Sequence, residues 1–412
     1  YMALVSSGEN RFFLPSLAVH ATGYDFFRIS VGRYPEIVGF TAPYLSTGAM
    51  MMSLNARPIW KISVENPDFW SFPGLRGVVQ FKGRWSEGIT TDERYMDGTN
   101  VHQKYLYINV KPHRNLNLMG GVIHQLQWGG VSPDGRREHT SFRDYLDSVI
   151  GISENDRVVT PLGNSIAAYD FAATFEHELF RTGMMRLFYL EDLVSMQFRS
   201  PWDGLWSGWF HWTERELPVN FIVYEHINTK QQDARMVDIP GRANYYMHGR
   251  YRGGWTHHSH GLGSPLFTVD PEQITTEEGV ITNGIMVGHH LGVKGHVRTR
   301  TEWSAMATWT RNYGVCRDQL QGGGSCFSSM DIPFRERDDY IPLSELRKDR
   351  YSLFAGVSHK ITGQSDGKWS RFLRESGSVL EIRVSVAADW GDFFDKPRFG
   401  IETGLVFHHG GP

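Results

Sequence analysis

Residues 291–312 read LGVKGHVRTRTEWSAMATWTRN and carry a strict alternation of period two. One face holds Val293, Gly295, Val297, Thr299, Thr301, Trp303, Ala305, Ala307 and Trp309. The other holds Lys294, His296, Arg298, Arg300, Glu302, Ser304, Met306, Thr308 and Thr310. A half-buried strand of a soluble sheet keeps this pattern for ~4–8 residues. Here it runs roughly twice as far, with fixed charges on one side and rings towards one end of the other. Such a stretch suits a strand crossing a bilayer at a tilt, which needs ~9–11 residues with apolar positions towards lipid, a polar lumen side and aromatic girdles at both interfaces. A long strand of a soluble β-sandwich is the competing reading. On the membrane reading, Val297 and Ala305 face lipid while Arg298 and Glu302 face the lumen.

Composition favours the barrel. Aromatic residues make up 13% of the 412 residues and charged residues only 21%, beside 44 Gly, a balance suited to aromatic belts and many turns. No run of 18 apolar residues occurs, which excludes a helical membrane protein, and a negative mean hydropathy is compatible with a polar lumen. Net charge is −3, with no basic stripe and no recognition motif, so nucleic acid is not an expected partner. No signal peptide begins at Tyr1, so an exported protein would carry this numbering after processing or trimming.

Strand patterns fill the chain. Phe27, Ile29 and Val31 alternate with Arg28, Ser30 and Gly32 up to a Tyr34-Pro35 turn. The segment 47–65 reads as two strand-like runs broken at Asn55-Ala56-Arg57-Pro58. Further strands are expected at 77–85, 104–111, 116–128, 168–178, 184–191, 204–212, 219–227, 351–361, 378–390 and 399–408. Between them, Ser141 to Gly151 has Phe142, Tyr145, Leu146, Val149 and Ile150 at helical spacing, with Ser141 and Asp144 as a capping pair, and reads as a loop helix. At about 20–25 residues per strand and connection, the length accommodates about 16–18 strands. The expected fold is an all-β, antiparallel outer-membrane barrel of about 16–18 strands with short loop helices. Residues 1–412 are taken as a single barrel domain, in which 1–24 is a periplasmic segment or the first strand. Cys316 and Cys326 flank the turn-rich run RDQLQGGGS, where a returning loop can join them. A disulfide is favoured over two free thiols.

Three runs carry a resemblance: LSTGAMMMSLNARPIWKISV at 45–64, GGVIHQLQWGG at 120–130 and GRANYYMHGRYRGGWTHHSHGLGSPLF at 241–267. In the third, Asn244-Tyr245-Tyr246, Tyr251-Arg252, Gly254-Trp255-Thr256 and Gly263-Ser264-Pro265-Leu266-Phe267 follow in the order and spacing of the capsule-assembly Wzi family. Tyr224-Glu225, Thr229-Lys230, Asn283-Gly284 and His289-His290 support it. The resemblance spans most of the chain and implies an outer-membrane barrel of about 18 strands that binds capsular or extracellular polysaccharide as a lectin does, without catalysis. It further implies contact with outer-membrane lipid and lipopolysaccharide, and either a monomeric barrel or one within a larger envelope assembly. No cofactor is expected. The chain departs from the family at its N-terminus, which is short for a separate periplasmic helical segment.

Sugar recognition needs flat apolar faces for pyranose C–H surfaces and planar hydrogen-bonding groups for hydroxyls. The expected contact set is Asn244, Tyr245, Tyr251, Arg252, Trp255, His257 and His258, with Tyr246 and Arg250 of the same composition. Arg would favour acidic capsule units. The alternative is structural, since girdles hold Tyr and Trp, and lumen Arg pairs with carboxylates. His248, His257, His258, His260, His289 and His290 form a histidine-rich neighbourhood, but no Cys or carboxylate sits at ligand spacing among them, so no metal is expected. Glu176-His177-Glu178 lacks the second histidine of a zinc-protease motif. His257, Ser259 and Gly261 resemble the His-x-Ser-x-x-Gly region of outer-membrane phospholipase A, where a base and a nucleophile two apart share a strand face. The flanking sequence follows the Wzi pattern instead. A diffusion porin and a barrel subunit of a larger envelope complex remain as other readings.

Overall fold

The computed structural model describes residues 16–23, 26–138, 141–150, 163–190, 200–214, 216–232, 245–276, 279–315, 343–361 and 378–408. In chain order the strands of the main sheet are β1 (Leu17–Gly23), β2 (Phe27–Arg33), β3 (Trp60–Glu65), β4 (Trp70–Ser71), β5 (Val79–Ile89), β6 (Asn100–His113), β7 (Leu116–Trp128), β8 (Asn164–Glu176), β9 (Phe180–Leu190), β10 (Gly204–Trp212) and β11 (Phe221–Asn228). The short strands β12 (Thr256–His257), β13 (His260–Gly261), β14 (Thr268–Val269) and β15 (Ile281–Asn283) lie apart from it. The main sheet resumes with β16 (Met286–Arg298), β17 (Thr301–Asn312), β18 (Lys348–Ile361), β19 (Val379–Trp390) and β20 (Arg398–His408). Among the described residues it holds 16 antiparallel strands, with successive strands as neighbours apart from β4, which pairs β5 at its margin.

Connections segregate by length. One end carries the tight turns 114–115, 177–179 and 299–300, and the other carries 34–59, 129–163, 229–285 and 313–347. The connection 362–378 is the longest at the tight-turn end. Short periplasmic turns and long extracellular loops are the rule of outer-membrane barrels, which makes the long-loop end the cell-surface mouth.

Inward and outward sides follow from burial. Outward positions form an apolar belt that includes Val19 (73%), Val297 (69%), Phe399 (81%), Ile401 (79%) and Leu405 (72%). Two aromatic rows bound it. Near the mouth His289, Trp309, Tyr351 and Trp390 stand opposite one another on β16 to β19; His289 stacks on Trp309 at 5.4 Å and Tyr351 on Trp390 at 5.8 Å. At the tight-turn end Phe175, Phe180, Phe210 and Trp212 form a chain of contacts at 6.1, 4.9 and 4.5 Å. On β17, Trp303 and Trp309 lie six residues apart, about 20 Å along a strand, comparable to the lipid-facing band of such barrels.

The hydrophobic core sits inside the barrel. Inward side chains Tyr107, Ile123, Ile166, Leu187, Tyr189, Leu205, Ile227 and Met286 meet Val38, Met50, Met51, Met52, Tyr245, Tyr246, Trp255, Leu262 and Phe267 from the connections 34–59 and 229–285. The described parts of both long connections therefore fold back into the lumen as a plug. Helix α1 (Phe142–Ile150) starts where Ser141 Oγ accepts the Asp144 N–H at 3.1 Å and packs Tyr145 on Trp128 at 4.9 Å. Helix α2 (Leu343–Leu346) is a single turn before β18.

Two expectations need correction. The stretch 291–312 is not one strand: it comprises most of β16, a turn at 299–300, and β17. The segment 47–65 supplies only one strand, β3; its first run lies in the plug, where Val38 donates to Met52 O at 2.9 Å and Met50, Met51 and Met52 are buried. The described part of 1–24 contains β1. Cys316 and Cys326 lie outside the described residues.

Candidate functional site

The site is the plug and the mouth it shapes. Its first arm, 38–48, hangs from inward polar groups of the wall. Asp170 on β8 accepts the Phe40 N–H at 2.7 Å and the Tyr107 hydroxyl at 2.9 Å. Glu225 on β11 accepts Ser46 Oγ at 2.7 Å, Thr47 N at 2.7 Å and Thr47 Oγ1 at 2.6 Å. His290 Nε2 donates to Leu45 O at 2.6 Å, so its Nδ1 accepts the Thr308 hydroxyl at 2.7 Å. Irregular backbone inside a barrel needs such partners, because buried peptide groups without them cost several kcal/mol in a membrane setting.

The second part of the plug, 245–285, packs onto the first. Asp203, in the loop before β10, accepts Gln231 N at 3.0 Å, Gln232 N and the Tyr245 hydroxyl at 3.1 Å. Burial pushes its carboxyl up to about 6 despite these bonds. Arg94 grips Asp92 through two bonds of 2.9 Å and donates to Thr256 O at 2.6 Å, while Asp92 accepts the His258 N–H at 2.8 Å. Burial of Asp92 favours its neutral form, but the Arg94 bond and charge outweigh it and hold the carboxyl below its ordinary value. Ser53 Oγ donates to Gly263 O at 2.6 Å and Asn55 Nδ2 to Gly261 O at 3.0 Å, which ties the two arms together. Position 263 has to be glycine: a Cβ there would stand 2.2 Å from Met50 O and 2.3 Å from the Tyr246 hydroxyl.

The expected contact residues divide by where they fall. Tyr245, Tyr251, Trp255 and His257 are 1–3% exposed. Tyr245 is held by Asp203, and the Tyr251 hydroxyl donates to Gly129 O at 3.2 Å. His257 Nδ1 donates to Arg57 O at 2.8 Å, which leaves Nε2 as an acceptor facing Thr91 N at 3.4 Å; burial lowers this imidazole to about 4. Both ring nitrogens are engaged within the plug. Arg252, with its guanidinium 5.8 Å from the Tyr95 ring, and His258 are half-buried. Asn244 lies outside the described residues. Tyr246 is buried and bonds Met50 O, whereas Arg250 is exposed and pairs with Glu138 at 3.3 Å.

The hydrolase-like pairing does not form here. His258 and Ser259 adopt φ of 48° and 63°, so the chain turns between β12 and β13 and His257 and Ser259 do not share a strand face. The same turn sets the rings of His257 and His258 edge to face at 4.4 Å instead of on opposite sides of a strand. His289 points outward to Trp309 and His290 inward to Leu45.

A cavity of about 270 Å³ opens between the wall and the returning arm of the plug, lined by Tyr34, Glu36, Met52, Asn55, Arg57 and Lys61 among others. Sequence reading missed it: Tyr34-Pro35 reads as a turn and Lys61 as one polar position of a strand. A signal existed in the inward row Lys61, Ser63 and Glu65, opposite Trp60, Ile62 and Val64.

No protein-family model matches the sequence, and no curated protein matches it. Among solved structures, the chain is similar to Wzi of Escherichia coli, described as an outer-membrane carbohydrate-binding β-barrel involved in group 1 capsule assembly. The TM-score is 0.53 at 12% identity, over 97% of this chain and 70% of that one. This chain is an outer-membrane β-barrel. Weaker likenesses are to a loop-deletion form of OmpT of Vibrio cholerae (TM-score 0.35, 7% identity, 96% and 80% covered) and OprD of Pseudomonas aeruginosa (0.31, 7%, 98% and 73%). The barrel crosses the bilayer many times with strands, consistent with the apolar belt and its two aromatic rows.

Proposed function

We propose that this barrel, acting as a single domain, binds capsular or extracellular polysaccharide at its cell-surface mouth and anchors it there without catalysis. The observation that carries the reading is the plug. Two long connections pack into the lumen against one side of the wall and present polar groups at the mouth, with Arg252 and His258 half-buried and Arg250 exposed in the same block. The likeness to the carbohydrate-binding Wzi barrel supports it at the level of the fold. The buried rings Tyr245, Tyr251 and Trp255 then serve by shaping the mouth, and sugar contact passes to polar groups at its surface and in the cavity beside β3. Anchoring is tested in a deletion strain by separating cell-bound from shed polysaccharide.

A second reading rests on the wall opposite the plug. The inner face of β18–β20 presents Ser352, Ser358, Arg383, Ser385 and Glu402, and the Arg383 side chain is 57% exposed. Such a wall suits a water-filled path for small solutes. Planar-bilayer recording separates the two: stable open steps favour the channel, and a closed or nearly closed barrel favours the anchor.

A further inference from the structure

The outer side of the wall carries a groove that neither the plug nor the mouth uses. Across β2, β3, β5 and β6 the residues Val31, Ile62, Glu87 and His102 stand opposite one another in turn, so all four point outward with the apolar belt. A carboxylate and an imidazole on that side need protein partners, because lipid offers none. Glu87 accepts Trp85 Nε1 at 3.0 Å, His102 Nδ1 at 2.6 Å and the Tyr145 hydroxyl of α1. Lys104, two residues along β6 from His102, donates to Val149 O near the other end of the same helix. Helix α1 is therefore pinned to the outside of the barrel, beside Trp128 at the mouth end of β7. Phe142 and Leu146 lie four apart on one face of it and are exposed, Phe142 by 74%. A helix that fixes its polar groups to the wall and shows rings and aliphatic side chains outward suits the interface between headgroups and hydrocarbon.

Between α1 and β1 runs a groove of about 810 Å³, whose apolar lining includes Leu17, Val19, Val31, Ile62, Ile89 and Phe142. Its charged lining groups are engaged elsewhere, Glu87 as above and Lys61 by Glu36. Trp60 and Trp128 line it in the row nearest the mouth, where aromatic side chains mark the outer interface. One row deeper come Val31 and Ile62, followed by Ile29 and Val64 of the belt. The groove is thus continuous with the surface that faces lipid, and hydrocarbon is the medium that reaches it. Its volume lies within the ~300–1,000 Å³ typical of sites for small ligands.

We infer that this groove holds an acyl chain of an outer-leaflet lipid, with α1 as one of its walls. The lipid is seated between helix and strands, which sets it apart from the shell of lipid around the rest of the belt. Burial of each methylene contributes about 0.8 kcal/mol, so chain length governs how firmly it is held.

The test is native mass spectrometry of the full chain, stripped of lipid in detergent and then titrated with dipalmitoyl phosphatidylglycerol. Dihexanoyl phosphatidylglycerol, with the same headgroup and short chains, is the control. One long-chain lipid should stay on each barrel, bound at least about tenfold more tightly than the short-chain one. Ile62→Trp fills the groove and should lose about tenfold of that affinity. Phe142→Ser opens its helix side without touching a strand and should also weaken retention. Val357→Trp, at an exposed belt position on β18, should retain the lipid like the unchanged chain. Heat-modifiable gel migration checks that each variant folds. No retained lipid, short-chain lipid held as tightly, undiminished retention in both folded groove variants, an equal loss in Val357→Trp, or a dimer of barrels in place of the lipid overturns the inference.

Discussion

The carboxylate of Glu225 holds the backbone N–H of Thr47 at 2.7 Å across 178 residues of sequence. Glu225 is 1% exposed and also takes the hydroxyls of Ser46 and Thr47, so it holds the 46–47 end of the first arm, as Asp170 holds Phe40 and His290 holds Leu45. Glu225→Ala leaves these donors without an acceptor and should cost the plug ~1–3 kcal/mol per stranded group. Hydrogen exchange of 40–52 should accelerate while gel mobility of the folded barrel is kept. Unchanged protection of 40–52 would show that the arm is held by packing alone.

Trp255 is 1% exposed and belongs to the interior core. Trp255→Ala should therefore destabilise the plug by ~3–5 kcal/mol through the cavity it leaves, and any loss of sugar binding would follow from that. Thermal melts in near-ultraviolet circular dichroism read the change. A variant with wild-type melting would place this ring outside the core.

Lipid-facing positions differ in depth. Ala305 sits within β17, whereas Val297 lies two residues before the 299–300 turn. Ala305→Arg should impair insertion by up to ~2–4 kcal/mol and Val297→Arg by only ~0–1, with Arg298→Gln mild because Arg298 is exposed at a bulge beside the turn. Folding into lipid vesicles measures all three. Equal penalties on both faces would contradict the assigned orientation.

Acid should loosen the plug. Burial holds His257 and His248 down at about 4, below their ordinary 6.5, so their contribution is full above 6.5 and is lost as pH falls from there towards 4. Asp203 works in the opposite sense. Its carboxyl is raised to about 6, so protonation favours the folded plug increasingly as pH falls through 6 towards the ordinary 3.8. Two histidines outweigh one carboxyl, and melting should fall between about pH 7 and pH 4.5. Asp203→Asn removes the opposing group and should steepen that fall. A shallower slope in the variant would reverse the assignment.

The wall was far more legible than the plug. Strand patterns at 116–128 and 204–212 match β7 and β10, because alternation is imposed locally by lipid on one side and lumen on the other. The same locality hid the turn at 299–300. Val293 stands opposite Ala305 and Gly295 opposite Trp303, so odd residues pair with odd ones on both strands, and the register shifts only at a bulge between His296 and Arg298 beside the turn. Nor does Thr299-Arg300 carry the Gly or Asn that usually marks a tight turn. The plug has no period to read. Met50–Met52, Tyr245, Tyr246, Tyr251 and Trp255 are buried in a plug tied to the chain by partners more than a hundred residues away, such as Asp170 for Phe40 and Gln127 for Gly254. Rings and guanidinium groups that compose a sugar site also compose a plug, and only the folded barrel separates the two uses.

The central claim is that this barrel anchors polysaccharide at the cell surface. It is tested most directly by measuring cell-bound and shed polysaccharide in a strain lacking the protein, beside the same strain carrying the intact chain. The account predicts normal total synthesis with most of the polymer released into the medium, and recovery of the bound fraction on complementation. Unchanged retention without the protein would contradict it.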